Sequence, residues 1–215
     1  MITASKPVDT PNILEPQMTG VFPNPILTYT NKKSLSLKER DYLLNLEQRK
    51  NMGNTSSVNE SLFKDVKLKI LQTWIRSALE DYVDRIYCPK ESITLNITQS
   101  WVNVCRKGEY HHLHSHPNSL VSGVYYVQSS KNDKINFTDN SHSALDIIPR
   151  EYNLFNSRDW WMPAMQDTLV LFPSSLFHRV SPVEEDRDRD RVSLSFNTFP
   201  TGILGSSDNL SELEL

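Results

Sequence analysis

From Ile93 onward the chain takes on a β texture in four runs, Ile93–Cys105, Val121–Val127, Thr168–Phe172 and Arg191–Phe199, with apolar and polar residues alternating most plainly in the first and the last. Successive side chains of a strand point to opposite faces, so a period of two reads as strand. The Val, Ile, Tyr, Phe, Trp and Thr content of these runs fits that reading. No helical period of useful length lies between them. The preceding stretch has the opposite texture. Ser36 and Glu39 form a capping-box pattern ahead of Leu43, Leu44 and Leu46, in a helix expected to fade by Gly53. Met52–Ser61 reads as a loop, after which Asn59 or Ser61 caps a longer helix. There Leu62, Val66, Ile70, Trp74, Ala78, Tyr82 and Ile86 recur every four residues, beside Leu71, Ile75, Leu79 and Val83, until Pro89 ends the element. Helices first and strands afterwards predict an α+β, mainly β chain, its helices packed on an antiparallel sandwich or barrel.

The chain of 215 residues is long enough for one substantial core. Residues 1–200 are expected to form a single domain: irregular with an edge strand over 1–35, helices over 36–88, strands over 93–200. A loose acidic tail is expected over 201–215. An edge strand near residues 20–30 is compatible with a homodimer. The formal charge of −3 speaks against a nucleic-acid-binding coat. With six glycines and neither GxGxxG nor a Walker A motif, the glycine-loop nucleotide folds lose their support. No run reaches the roughly 18 apolar residues of a membrane span. Met1–Pro16 lacks the apolar region of a secretory signal, and Cys88 and Cys105 make no disulfide framework. A reducing cytoplasm is therefore expected. Glu184–Arg191 reads as a solvated charged loop.

Four of the six histidines fall within six positions: His111, His112, His114 and His116. In an extended strand His114 and His116 share a face, and both imidazoles can reach one metal at about 2.0–2.2 Å. His112 shares that face, so a His112–His114 frame is open too, whereas His111 points away. Exposed histidines at a polar strand end are the ordinary source of such a pattern. Context favours a site: Pro117 stops the strand, Asn118–Ser119 turn it, and Leu120–Val127 is a strong β run. His178 follows another strong run and turn, Leu169–Leu176, and supplies a third ligand; His142 has no such setting and reads as surface. In the last strand Arg191, Ser193, Ser195 and Asn197 share one face and Val192, Leu194 and Phe196 the other. A guanidinium grips a carboxylate bidentately, and a serine two residues on can add a bond. Arg191 stands 13 residues after His178, close enough for a strand and its return to place both in one cavity.

These elements resemble the Fe(II)/2-oxoglutarate-dependent oxygenases, and more closely a subgroup found in bacteria and marine phages. The resemblance rests on Trp101 and Asn103; His114, His116 and Pro117; Ser122, Gly123, Tyr125 and Tyr126; Leu171, Phe172, Pro173 and His178; and Arg191, Ser193 and Asn197, in that order over about residues 95–200. It implies a double-stranded β-helix, a cupin-like jelly roll with the metal inside its mouth and the N-terminal helices on its major sheet. It implies His114 and His178 as iron ligands and Arg191 with Ser193 as the clamp for the far carboxylate of 2-oxoglutarate. Asn103, Tyr125 and Asn197 would serve the near carboxylate, the substrate or ligand orientation. The implied reaction consumes 2-oxoglutarate and O2, yields succinate and carbon dioxide, and oxidises, by hydroxylation in the usual case, a substrate that the sequence does not identify.

One departure stands out. Most such enzymes use two histidines and a carboxylate. Here the carboxylate position is His116, which makes the site more positive by one unit. Asp139 and Glu109 are the alternative carboxylates; His116 is preferred because strand geometry delivers it. Trp160, Trp161 and Met162 read as a long loop able to line or lid the pocket, or as a core or strand-edge segment. Three rival readings remain. A cupin fits Gly108, His114, His116, Pro173 and His178 but lacks the expected Glu after the HxH. A three-histidine zinc site would serve hydrolysis or hydration. A jelly-roll binding or virion module would have kept the fold and lost the chemistry.

Overall fold

A computed structural model describes residues 19–140, 147–182 and 189–215. His142 and most of the charged Glu184–Arg191 segment lie outside the described residues. Strand β1 (Leu27–Thr30) precedes helix α1 (Leu37–Leu44). The Ser36 side chain accepts from the Glu39 N–H, and the Glu39 carboxylate accepts from the Ser36 N–H, which completes the expected capping box. Buried Glu39 also accepts from the Leu71 N–H at 3.3 Å. It thereby satisfies one first-turn donor of the second helix, whose own N-cap, Leu68, offers no side-chain bond.

The segment expected as helix end and loop instead contains a hairpin, β2 (Gln48–Lys50) and β3 (Thr55–Ser57), in which Gly53 takes φ +83°. Two 3-10 turns, Leu62–Lys64 and Val66–Leu68, lead into α2 (Lys69–Tyr82), and a π-helical turn over Val83–Tyr87 follows. Helix α2 buries Leu71, Ile75, Ala78, Leu79 and Tyr82, while Val66 and Ile70 face solvent. A strict spacing of four drifts about 40° around the helix per step, so it cannot stay on one face for six steps.

The strands follow as β4 (Ile93–Cys105), β5 (His111–His114), β6 (Val121–Gln128), β7 (Lys134–Thr138), β8 (Asp159–Pro163), β9 (Thr168–Pro173), β10 (Phe177–Val180), β11 (Arg191–Leu204) and β12 (Leu213–Glu214). They make a large antiparallel sheet in the order β1-β9-β6-β11-β4-β3-β2, with β12 on β11, and a smaller one in the order β5-β10-β7-β8. Strand β1 lies at an edge of the large sheet. Trp160–Met162 belong to β8, the edge of the small sheet, rather than to a loop. The tail is not loose: β12 pairs Leu213 and Glu214 with Leu204 and Ile203, and Leu215 exchanges backbone bonds with Gly202.

Strands β6 and β9 of the large sheet divide their apolar side chains between two cores. On the outer face, Val102, Val121, Tyr125, Val127, Leu169, Leu171, Val192, Leu194 and Phe196 pack with α1, α2 and the 3-10 turns. On the inner face, Tyr126, Val170 and Phe172 meet Ile135 and Phe137 of the small sheet. Gly123 is required where β6 crosses the Phe196 ring, since a Cβ there would lie 2.1 Å from Cζ. Two antiparallel sheets closed over an inner cavity make this a jelly roll, the double-stranded β-helix.

Candidate metal centre

Three histidines meet at one end of the inner cavity. Their ligand nitrogens, from His114, His116 and His178, lie within 4.8 Å of one another. His114 and His178 are cross-strand partners on β5 and β10, so register puts both on the inner face. His116 arrives differently: β5 ends at His114, and the His116 N–H is held by the Ser174 carbonyl at 2.8 Å. A backbone anchor, not strand continuation, brings it to the site. Ser174 is fixed in turn by 2.7 Å bonds between its hydroxyl and those of Ser122 and Ser119.

The tautomers follow from the neighbouring carbonyls. His114 Nδ1 donates to the His112 carbonyl at 2.8 Å, and His178 Nδ1 donates to the Leu176 carbonyl at 3.1 Å. Each therefore offers an Nε2 lone pair, the arrangement in which a backbone oxygen orients a metal-binding imidazole. The Nε2 atoms of His116 and His178 are 3.2 Å apart. Burial lowers all three imidazole pKa values. That of His116 falls to about 4, first through burial and then through His114. That of His178 falls further, through burial and then the His114 charge. For His114, burial outweighs the upward pull of its bond to the His112 carbonyl. Neutral imidazoles at pH 7 are the ligand-competent form.

No carboxylate joins the set among the described residues. Asp139 is exposed past the end of β7, its N–H on the Arg158 carbonyl, and the Glu109 carboxylate accepts from the Arg106 N–H.

The same cavity also carries other polar side chains. Its walls include Trp101, Asn103, His111, Tyr126, Arg191, Ser193 and Ser195. Arg191 is buried; one nitrogen donates to the Lys134 carbonyl at 3.1 Å, and Nε has no partner. The Tyr126 hydroxyl and Asn103 Oδ1 are likewise buried and unpartnered, although Asn103 donates to Ser195 Oγ at 3.1 Å. Orphaned buried groups cost about 1–3 kcal/mol each, so their convergence in one cavity marks a place built for a polar ligand.

Several residues sit elsewhere than the sequence suggested. Tyr125 is not in the cavity. It pairs with Leu194 on the outer face, and its hydroxyl donates to Asp167 at 2.9 Å. Tyr126, paired with Ser193, is the tyrosine turned inward. Asn197 is bonded to Ser122 and Gln99 and lines no part of the cavity. His111 does not point away: it lines the cavity and stacks on His114 at 4.5 Å. The irregular register between His178/His114 and Val180/His111 breaks simple alternation. Only β-pairing distinguishes Tyr126 from Tyr125; the apolar setting on both sides of the dipeptide carries no such signal.

The fold and this constellation define a class: a double-stranded β-helix with a three-imidazole, metal-competent centre. Residues 99–197 match a family model described as "Putative 2OG-Fe(II) oxygenase", so over this segment the recognition made from the motifs holds. Solved structures share the fold. The crystal structure of HygX from Streptomyces hygroscopicus with nickel and 2-oxoglutarate bound aligns at TM-score 0.56 and 13% identity, covering 89% of this chain and 92% of that one. A prolyl hydroxylase from Trichoplax adhaerens, in complex with a hypoxia inducible factor peptide fragment, aligns at 0.55 and 15%, covering 81% and 83%. An oxidoreductase of the 2OG-Fe(II) oxygenase family from Burkholderia pseudomallei aligns at 0.54 and 12%, covering 80% and 83%. No curated protein sequence matches the chain. Among the described residues no helix is long and apolar enough to cross a membrane.

Proposed function

We propose that this protein is an Fe(II)- and 2-oxoglutarate-dependent dioxygenase that oxidises, by hydroxylation, a substrate still to be identified. The observation that carries the proposal is one cavity lined both by three neutral imidazoles and by a buried, under-bonded guanidinium. The residues fit both groups. His114, His116 and His178 would hold the iron. Arg191 Nε and Ser193 would take the far carboxylate of 2-oxoglutarate, with the Tyr126 hydroxyl and Asn103 Oδ1 as the further unpartnered groups in reach of a polar ligand. When bound, iron with 2-oxoglutarate supplies oxygen activation, the co-substrate leaving as succinate and carbon dioxide. The chain's own share is orientation and exclusion of water: carbonyl bonds fix two rings, the Ser174 carbonyl fixes the third, and Phe172 packs edge-on to His178 at 4.7 Å.

A cupin-type enzyme without 2-oxoglutarate would use the same imidazoles but leave Arg191 Nε and the Tyr126 hydroxyl buried without a role. The test is anaerobic titration with Fe(II) and 2-oxoglutarate, following the visible metal-to-ligand band. Wild type gives the band, and His178→Ala and Arg191→Ala do not. A band of full intensity in Arg191→Ala would overturn the clamp; no band in wild type would overturn the proposal.

A further inference from the structure

The histidine cluster contains more nitrogen than one ion uses. A second triplet, His111, His112 and His114, also brings its ligand atoms within 4.8 Å of one another. The three rings are mutual neighbours, with centroids 5.2 Å (His111–His112), 4.5 Å (His111–His114) and 4.9 Å (His112–His114) apart. His112 Nδ1 is buried and has no hydrogen-bond partner. His112 contributes nothing to the first triplet, and its carbonyl only orients His114. A buried ring nitrogen without a partner is costly, and a metal ion is one of the few ligands that would satisfy it. The triplet lies on β5, the edge strand of the small sheet, whereas His178 lies on the next strand inward.

We infer that His111, His112 and His114 form a second seat for a divalent transition-metal ion at the sheet edge. The two seats exclude each other. His114 belongs to both sets, its Nδ1 is committed to the His112 carbonyl, and only Nε2 remains to bind metal. One lone pair serves one ion. An ion at the edge seat therefore takes His114 away from His116 and His178. Three imidazoles suit Zn(II), Ni(II) and Cu(II), which bind nitrogen sites more tightly than Fe(II) does. The edge seat is thus a place where those cations hold the chain in a form that lacks the deeper set.

Co(II) alone is the probe, added to the full-length metal-free chain without 2-oxoglutarate and followed by calorimetry and by the visible ligand-field bands of cobalt. Wild type binds one equivalent. The double variant His116→Ala/His178→Ala, with the deeper seat dismantled, still binds one equivalent with nitrogen-ligand bands. Adding His112→Ala to the double variant abolishes that binding, and His112→Ala alone leaves one equivalent. Loss of cobalt binding in the double variant, or its persistence in the triple variant, overturns the edge seat. Two equivalents in wild type overturn exclusivity. If the alanine variants do not fold, His116→Asn/His178→Asn with and without His112→Asn repeat the comparison at near-constant volume. These readings contain no 2-oxoglutarate, so they fail or succeed independently of the oxygenase proposal.

Discussion

Two adjacent tyrosines mark the difference between the two faces of the large sheet. Tyr125, on the outer face, is fully partnered: its hydroxyl donates to Asp167 and accepts from Asn31, and its ring packs edge-on to Trp74. Asp167 is held in turn by the Arg40 guanidinium at 2.8 Å, and Arg40 also donates to the Val127 carbonyl. Tyr126, one residue on and on the inner face, is as deeply buried, and its hydroxyl has no partner. The contrast extends along the strands. Around Tyr125 the outer-face polar side chains satisfy one another, whereas the cavity wall leaves Arg191 Nε, Asn103 Oδ1 and the Tyr126 hydroxyl unsatisfied. Outer-face residues therefore answer for stability, and the inner face gives up stability for groups that complete their bonding with a ligand.

This contrast can be broken by substitution. The largest effect is expected from Phe196→Ala on the outer face, where the ring is fully buried between Phe63 and the bare backbone of Gly123. Urea unfolding should show a loss of about 3–5 kcal/mol. A loss below about 1 kcal/mol would mean that the helix-facing core does not carry the stability assigned to it.

On the inner face the signs separate. Arg191→Met should change unfolding stability by no more than about 1 kcal/mol, because a buried cation gives way to an apolar chain of similar length. The same change should weaken 2-oxoglutarate binding by about 2–5 kcal/mol, roughly 30-fold or more, in calorimetry with the metal-loaded chain. Tyr126→Phe sharpens the comparison with its neighbour. Removing an orphaned hydroxyl should leave stability unchanged or slightly higher, while 2-oxoglutarate affinity falls by about 2- to 10-fold. Tyr125→Phe, by contrast, should destabilise the fold by about 1 kcal/mol and leave 2-oxoglutarate affinity alone. Reversal of these two results would place the ligand on the wrong tyrosine.

The smallest expected effect is in pH dependence. Burial raises the Asp167 pKa, but bonds from Tyr125, Ser34 and the Leu35 N–H, with the Arg40 charge, outweigh it and leave the value below the usual carboxylate range. A depressed folded pKa stabilises above the unfolded value, about 3.9, and is lost as pH falls through the folded value. Thermal melts should therefore show an acid-side loss below about pH 4 that Asp167→Asn flattens. An unchanged acid limb in that variant would show that the outer-face network contributes no such term.

How much was legible follows the range of each interaction. The Ser36–Glu39 cap is a contact between residues three apart, so sequence suffices to place it. The division of β11 into Arg191, Ser193 and Ser195 against Val192, Leu194 and Phe196 follows from the two-residue period of a strand, and both sets lie where that period puts them. The motif order from Trp101 to Asn197 likewise foreshadows the family match over residues 99–197. Elsewhere the period was missing or misleading. The hairpin of β2 and β3 is rich in Asn and Ser and forms because β4 offers it an edge at Val104 and Asn103. The acidic tail reads as loose, yet pairs with the far end of β11.

By itself, the sequence determined the capped first helix, the run of strands from Ile93 onward, the polar and apolar faces of the last strand, and the supply of imidazoles and one guanidinium that any site here must use. Only the tertiary structure decided which tyrosine faces the cavity, that His111 joins its wall, and that His116 is delivered by the Ser174 carbonyl. Those choices turn on strand register, a local irregularity in the β5–β10 pairing, and a hydrogen bond between residues 58 apart in sequence. Each is set by long-range pairing, which a period along one strand cannot encode.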